Sequence, residues 1–394
     1  MWWGSDSRHE ATQEALNLYS EKYPNVTITP EFMAADVYFT KLATLVAAGD
    51  PPDLMQMNYL YFGAYQQDGV WLALDDYTPD PFNDEAYDET VKTQGVVEGT
   101  RYAAPAGVNT PTIVYDPEIF ASAEVEVPPF SWTWDDYERV CEEIVASEVV
   151  KYCSNDFSIS DQVFDVWLMQ RGKQWFTDDG KLGFNDADLA EFWSYFAGLR
   201  DRGLLPEASV TAEQLGGGDV TTSQLVAGNS AMEFAFTSQI TGHFSAREKP
   251  VGAVPMPAGP GPGQYLGGTG LMWVASAKTE YPEQVADLIN FLVNDPEANA
   301  ILRFERAVPP TAAAREVLAG LELTDAEKLT VEYTSSVAEG PLSTKDVYFQ
   351  NPPQEIGELA RMFRTHAEQV TFGRQSASEA ASGFVQEATA MLGS

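Results

Sequence analysis

Within the first 77 residues, β-rich and helix-periodic segments alternate three times, and this alternation limits the available folds more than any other feature. Trp2-Trp3 reads as a short strand, followed by the Gly4–Ser7 loop with its helix-capping residues. Ala11, Ala15, Leu16, Leu18 and Tyr19 then recur at helical spacing until Tyr23-Pro24 stops the helix. Val26–Pro30 reads as a second strand, and Phe39, Leu42, Leu45 and Val46 mark a second helix that ends at Gly49. Asp53–Met57 is the third strand, with a helix from about Tyr61 to Gln67. A helix between two strands brings the chain back to its starting edge, so successive strands run the same way, and a parallel α/β sheet is expected.

At 394 residues the chain exceeds the size at which one hydrophobic core keeps growing, so two domains are expected. The stretch from Arg101 to Tyr115 reads as the crossover between them. Gly107 is read as free to adopt φ > 0, Pro111 removes a backbone donor, and Thr112–Tyr115 is a β-branched and aromatic run. Pro255–Gly268 reads as a second crossover, overlapping a Val251–Gln264 segment of four prolines and four glycines, and Val308–Pro310 as a third. One lobe is therefore expected from residues 1–110 and 266–308, the other from 114–256 and 312–394, with crossings near 107–113, 255–268 and 308–311. No repeat of 20 to 50 residues suggests a solenoid.

With 59 acidic against 23 basic residues and a formal net charge of −36, the chain repels the phosphate backbone that supplies most nonspecific nucleic-acid affinity, so nucleic acid is excluded as a partner. Its apolar runs fall short of a membrane span, and solubility is expected. No basic and apolar leader precedes Trp2 and no cysteine stands near the start, so any lipid anchor is expected to be absent from this sequence. Cys141 and Cys153, separated by eleven residues, are either a helix-to-strand disulfide suited to an oxidising compartment or two buried thiols.

Further along, Thr133 caps a helix with acids in its first turn, Asn185-Asp186 opens another that runs to Gly203, and helices follow Pro282 and Pro296. Two more close the chain, one around Arg364–His366 and one from Ser376 to Leu392. This order of parts resembles the extracellular solute-binding proteins of carbohydrate ABC importers, the broad family that includes maltose-binding protein. The resemblance is carried by Trp3-Gly4, Glu21–Val26, Lys41-Leu42 with Gly49–Asp53, Tyr102–Pro105 with Asn109, Thr133–Tyr137, Gly228–Met232 and Phe372–Ser376. Trp2-Trp3-Gly4 with Arg8-His9, Gly107–Asn109 and Glu305–Pro309 look like a subgroup associated with pectin-derived, rhamnogalacturonan-type oligosaccharides. The resemblance implies two α/β lobes of the periplasmic-binding-protein type, each a mainly parallel sheet flanked by helices and joined by a multi-crossover hinge. It also implies an oligosaccharide held in the cleft by hinge closure, delivery to the membrane permease subunits of an importer, a monomer, an extracytoplasmic location, and no cofactor or metal.

Sugars offer flat C–H patches ringed by hydroxyls, so a site for them combines aromatic faces with amide, carboxylate and guanidinium groups. In open α/β sheets these groups sit at the carboxyl ends of strands. Trp3, Ser5, Asp6 and Arg8 follow the first strand, Tyr38 the second, and Asn58 and Tyr59 the third. Strand alternation lets only one of Trp2 and Trp3 face a cleft, and Trp3 is the candidate. Arg8 pairs either a ligand carboxylate or local acids. Asn109 lies in the first crossover, facing ligand or bonding the turn. On the second lobe Phe157, Trp167, Trp175, Phe236, Thr237 and Ser238 are candidates, with core packing the rival for Trp167. Gly267–Gly270 lacks the ending of a phosphate loop, so Gly268 and Thr269 are assigned close backbone approach to ligand. Arg303, Phe304 and Arg306 meet an anionic sugar or tie the lobes.

The competing class is a secreted glycoside hydrolase or lyase. An acidic chain always offers carboxylate pairs, and neither His-Glu-x-x-His nor Gly-x-Ser-x-Gly is present. His9, His243 and His366 lie far apart without metal-ligand spacing, so a binding protein rather than an enzyme is expected.

Overall fold

The computed structural model describes residues 1–4, 6–33, 35–88, 91–177, 179–215, 220, 223–261, 271–339, 353 and 355–393. Its strands are β1 (Trp2–Trp3), β2 (Phe32–Met33), β3 (Leu54–Asn58), β4 (Val96–Val97), β5 (Thr100–Arg101), β6 (Ala103–Pro105), β7 (Pro111–Tyr115), β8 (Tyr152–Ser154), β9 (Ser230–Phe236), β10 (Gly252–Val254) and β11 (Leu271–Ala275). The described residues fall into two compact units. Met1–Asn109, Leu266–Thr324 and Lys345–Gln354 make the first, and Thr110–Tyr265, Asp325–Thr344 and Glu355–Ser394 the second.

In the first unit β1 pairs in parallel with β2, and the amide of Gln56 in β3 donates to Met1 O, joining β1 to β3. The returning strand β11 lies between β3 and β6 and runs antiparallel to both. β1, β2, β3 and β6 thus share one direction. β11 runs opposite to them. Side-chain alternation along the sheet builds a core on each face. Trp2 and Trp273 point into one core with Leu16, Tyr19 and Ile289, while Trp3 and Val274 point into the other with Tyr38, Leu42 and Phe62.

The second unit has the order β10-β7-β9-β8, with β7 antiparallel to both neighbours and β9 parallel to β8. Its main core is aromatic. Trp134, Tyr137, Trp167, Phe192 and Phe196 from the helices Trp134–Ala146, Asp161–Met169 and Asp186–Asp201 meet mainly edge to face, with ring centroids 5.0–5.9 Å apart. Capping boxes at Thr133, Asn185 and Ser376 fix the helix starts that the sequence indicates. Cys141 and Cys153 form a disulfide from the helix Trp134–Ala146 to β8.

Three readings of the sequence differ from the structure. Val26–Pro30 is not a strand: Val26 N donates to Tyr23 O in a turn, Val26 and Ile28 pack on the core without a partner ladder, and pairing begins only at Phe32. Gly107 does not adopt positive φ. A Cβ built there would stand 1.6 Å from Arg306 O, so glycine is needed for close backbone approach. Residues 312–324 sit with the first unit. Thr311 bridges to Tyr87, and the buried Arg315 donates to Asp88 Oδ2 at 2.7 Å and Pro309 O at 3.0 Å, holding the helix Ala312–Ala319 in place.

Candidate functional site

In the first unit the carboxyl ends of β1 and β3 gather most of the anticipated residues. Trp3 is 9% exposed, and its ring lies 4.7 Å from Tyr38 and 5.0 Å from Phe39. Phe39 in turn stacks on Tyr61 at 4.1 Å and 27°. Tyr61 is 45% exposed, so the aromatic run reaches solvent there. Asn58 ends β3, and its Oδ1 accepts from Tyr61 N at 3.2 Å, capping the helix Tyr59–Gln67. The amide that was a candidate ligand contact therefore has a local partner. Tyr38 is a core residue rather than a surface one: it is fully buried, its hydroxyl donates to Gln56 O, and burial pushes its pKa up.

Gln56 links these groups. Its Nε2 donates to Trp3 O at 3.1 Å, and its Oε1 accepts from Arg306 Nε at 2.8 Å. Arg8 Nη1 also donates to Trp3 O, at 3.3 Å, and Arg8 Nε stands 4.0 Å from Glu305. Asp6 is exposed in the first turn of the helix Asp6–Lys22, where its charge complements the helix dipole. Arg303 has φ 46° and donates from Nη2 to Glu322 O at 3.2 Å. Asn109 is half-buried at the end of the first unit's first segment. Ser5, Gly268 and Thr269 lie outside the described residues.

In the second unit Phe236 ends β9, nearly buried, with its ring 5.3 Å from Phe234. Phe234 in turn lies 6.3 Å from Phe157. Thr237 follows, fully buried, with Oγ1 accepting from Thr110 N at 3.1 Å. Trp167 belongs to the aromatic core, as its rival reading allowed. It is 3% exposed, and the Arg171 guanidinium covers its ring at 3.6 Å. Trp175 is half-buried, ringed by Phe164, Phe184 and Phe363, and Nε1 donates to Asp161 O at 3.3 Å. On the helix Asp161–Met169, Asp161 and Asp165 stand one turn apart. Burial, with Asp161 adding like charge, pushes Asp165 up to about 7. Glu233 on β9 is also raised to about 7 by burial, although Ser223 Oγ donates to it.

Sequence reasoning missed Phe39, Gln56 and Tyr61. Phe39 fits helical periodicity, Tyr61 marks only the start of a helix, and Gln56 lies inside an apolar strand run. No local signal marks them, because their roles arise from contacts between separate elements.

Residues 5–299 match the family described as "Bacterial extracellular solute-binding protein". The maltodextrin-binding protein MdxE of Bacillus subtilis is 25% identical over 345 residues, covering 84% of this chain and 74% of that protein. The first curated relatives, Brucella binding proteins, are matched over 193 residues at 23% identity, so the chain spans about half their length, 47%. An extracellular solute-binding protein family 1 structure from Alicyclobacillus acidocaldarius superposes with a TM-score of 0.81 at 27% identity, covering 100% of this chain and 97% of that one. A periplasmic oligogalacturonide binding protein from Yersinia enterocolitica shares the fold, with a TM-score of 0.81 at 22% identity over 100% of this chain and 98% of that one. With three quarters of its length inside the family match and two α/β units of the same fold, the chain belongs to the bacterial extracellular solute-binding proteins.

Proposed function

We propose that the chain is the extracytoplasmic substrate-binding component of an ABC importer, capturing an oligosaccharide and delivering it to the membrane permease. Closure of the lobes about the ligand, implied by the resemblance, is part of this proposal, as are a monomeric state and attachment through a lipid anchor. The observation that carries it is the aromatic run from Trp3 through Phe39 to the exposed Tyr61, with the Asn58 amide at Tyr61 and the Arg8 guanidinium at Trp3. That combination of a π face with fixed polar groups suits a pyranose ring. The likeness to proteins named for binding maltodextrin and oligogalacturonide supports the same ligand class.

An enzyme acting on polysaccharide is the weaker reading, since these relatives are named for binding. Thermal-shift screening against neutral and uronic-acid oligosaccharides, followed by calorimetry of the hits, tests the proposal. A ligand that binds only the native state raises the melting midpoint. Micromolar binding of an intact oligosaccharide is expected, about −8 kcal/mol. A panel that produces no shift, or turnover of the sugar, overturns it.

A further inference from the structure

Arg306 is buried to 5% exposure in a chain with a formal net charge of −36, yet among the described residues no carboxylate lies within ion-pair distance of it. The other two buried arginines each hold one: Arg101 reaches Asp84 at 3.1 Å and Arg315 reaches Asp88 at 2.7 Å. Arg306 instead spends Nε on Gln56 Oε1 at 2.8 Å and Nη2 on Thr12 Oγ1 at 2.9 Å, and rests over the Trp273 ring at 4.5 Å. Among the described residues its Nη1 is buried with no hydrogen-bond partner. A buried, unpaired guanidinium is costly, and such a group persists where its surroundings hold it in place. The backbone around it is also strained, with φ 46° at Arg303 and φ 76° at Ala307. Arg8 lies close enough to add like charge, and its side chain is 20% exposed. Glu305 pairs with Arg8 at 4.0 Å and favours the charged form of both guanidiniums, but among the described residues it makes no ion pair with Arg306.

We propose that Arg306, with Arg8 as its solvent-facing neighbour, recognises a carboxylate on the ligand, so that the captured molecule is an acid rather than a neutral sugar. The inference rests on the binding-protein reading above. A carboxylate would supply the acceptor that Nη1 lacks. It could be carried by a uronate residue of a saccharide or by a small free acid.

Calorimetry at low ionic strength separates these cases with three probes: a uronate-containing disaccharide, its carboxyl-reduced neutral counterpart, and lactate. The uronate is expected to bind about tenfold or more tightly than the reduced sugar, a preference that shrinks with added salt. Arg8→Gln should collapse the ratio, whereas Lys22→Gln, which removes the same charge elsewhere on the helix, should keep it. Lactate binding that competes with nothing sugar-borne would support the site with a free acid as its ligand. Equal affinity for the uronate and reduced sugars, with no lactate binding, overturns the proposal and leaves the importer reading intact. Failure to bind any saccharide or acid overturns both. Because the comparison is made first on the unaltered protein, a misfolded Arg8→Gln variant cannot obscure it.

Discussion

Thr110 and Thr237 hold each other at the start of β7: Thr110 N donates to Thr237 Oγ1 at 3.1 Å, and Thr237 N donates back to Thr110 O at 3.1 Å. Both residues are fully buried. Thr237→Val keeps the shape but leaves the Thr110 amide without its acceptor, which should cost about 1–3 kcal/mol. Urea unfolding monitored by tryptophan fluorescence would show it, and an unchanged midpoint would mean that water replaces the hydroxyl.

Gly107 is constrained by space rather than by dihedral angle. Since a Cβ there would meet the Arg306 carbonyl at 1.6 Å, Gly107→Ala must move backbone, and a loss of about 3 kcal/mol or more is expected. A melting temperature within a degree of the parent would refute this packing.

The Cys141–Cys153 bond ties a helix to β8 in the second unit. Reduction, or the double change to serine, should lower stability by about 2–4 kcal/mol, provided that the native fold persists. Calorimetric scans with and without reductant give the comparison, and coincident scans would count against a structural role.

Asp165 and Glu233 make stability depend on pH. Burial raises both to about 7, so between the ordinary carboxylate range and pH 7 the folded state holds protons that the unfolded chain releases. Their contribution is therefore fully present below about pH 4 and lost as pH rises through about 7. Asp165→Asn should flatten this part of the profile and gain stability relative to the parent at pH 8. Burial raises Asp161 as well, although Arg364 nearby favours its ionised form. Denaturant midpoints at pH 5 and 8 decide the matter, and parallel slopes for parent and variant would reject it.

Tyr61 is the exposed end of the aromatic run, so its removal separates binding from folding. Tyr61→Ala should weaken saccharide binding by about 1–2 kcal/mol while leaving the melting temperature nearly unchanged. An unaltered calorimetric isotherm would remove Tyr61 from the site.

Much of the architecture is legible in the sequence because it depends on local chemistry. The Thr133, Asn185 and Ser376 caps, the stop at Gly49, and the alternation that sends Trp2 and Trp3 to opposite faces each need only neighbouring residues, although both faces prove to be cores where Trp3 was expected at a cleft. Val26–Pro30 shows the limit: its β propensity is real, but a strand exists only where a partner lies within hydrogen-bond reach, and that partner meets Phe32 instead.

The candidate site was less legible. Trp167 and Tyr38 have the same residue types as surface stacking groups, and only their three-dimensional neighbours place them inside cores. The sequence by itself determined the α/β alternation and the acidic character, since periodicity, capping and net charge are local or additive properties, while the family came from the resemblance of its ordered motifs. Tertiary structure alone decided that Gln56 bridges Trp3 and Arg306, that Arg306 is buried with no carboxylate beside it among the described residues, and that Tyr61 is the exposed end of an aromatic run. These relationships join residues as much as 250 positions apart, and their energies exist only once packing brings the groups within a few ångströms.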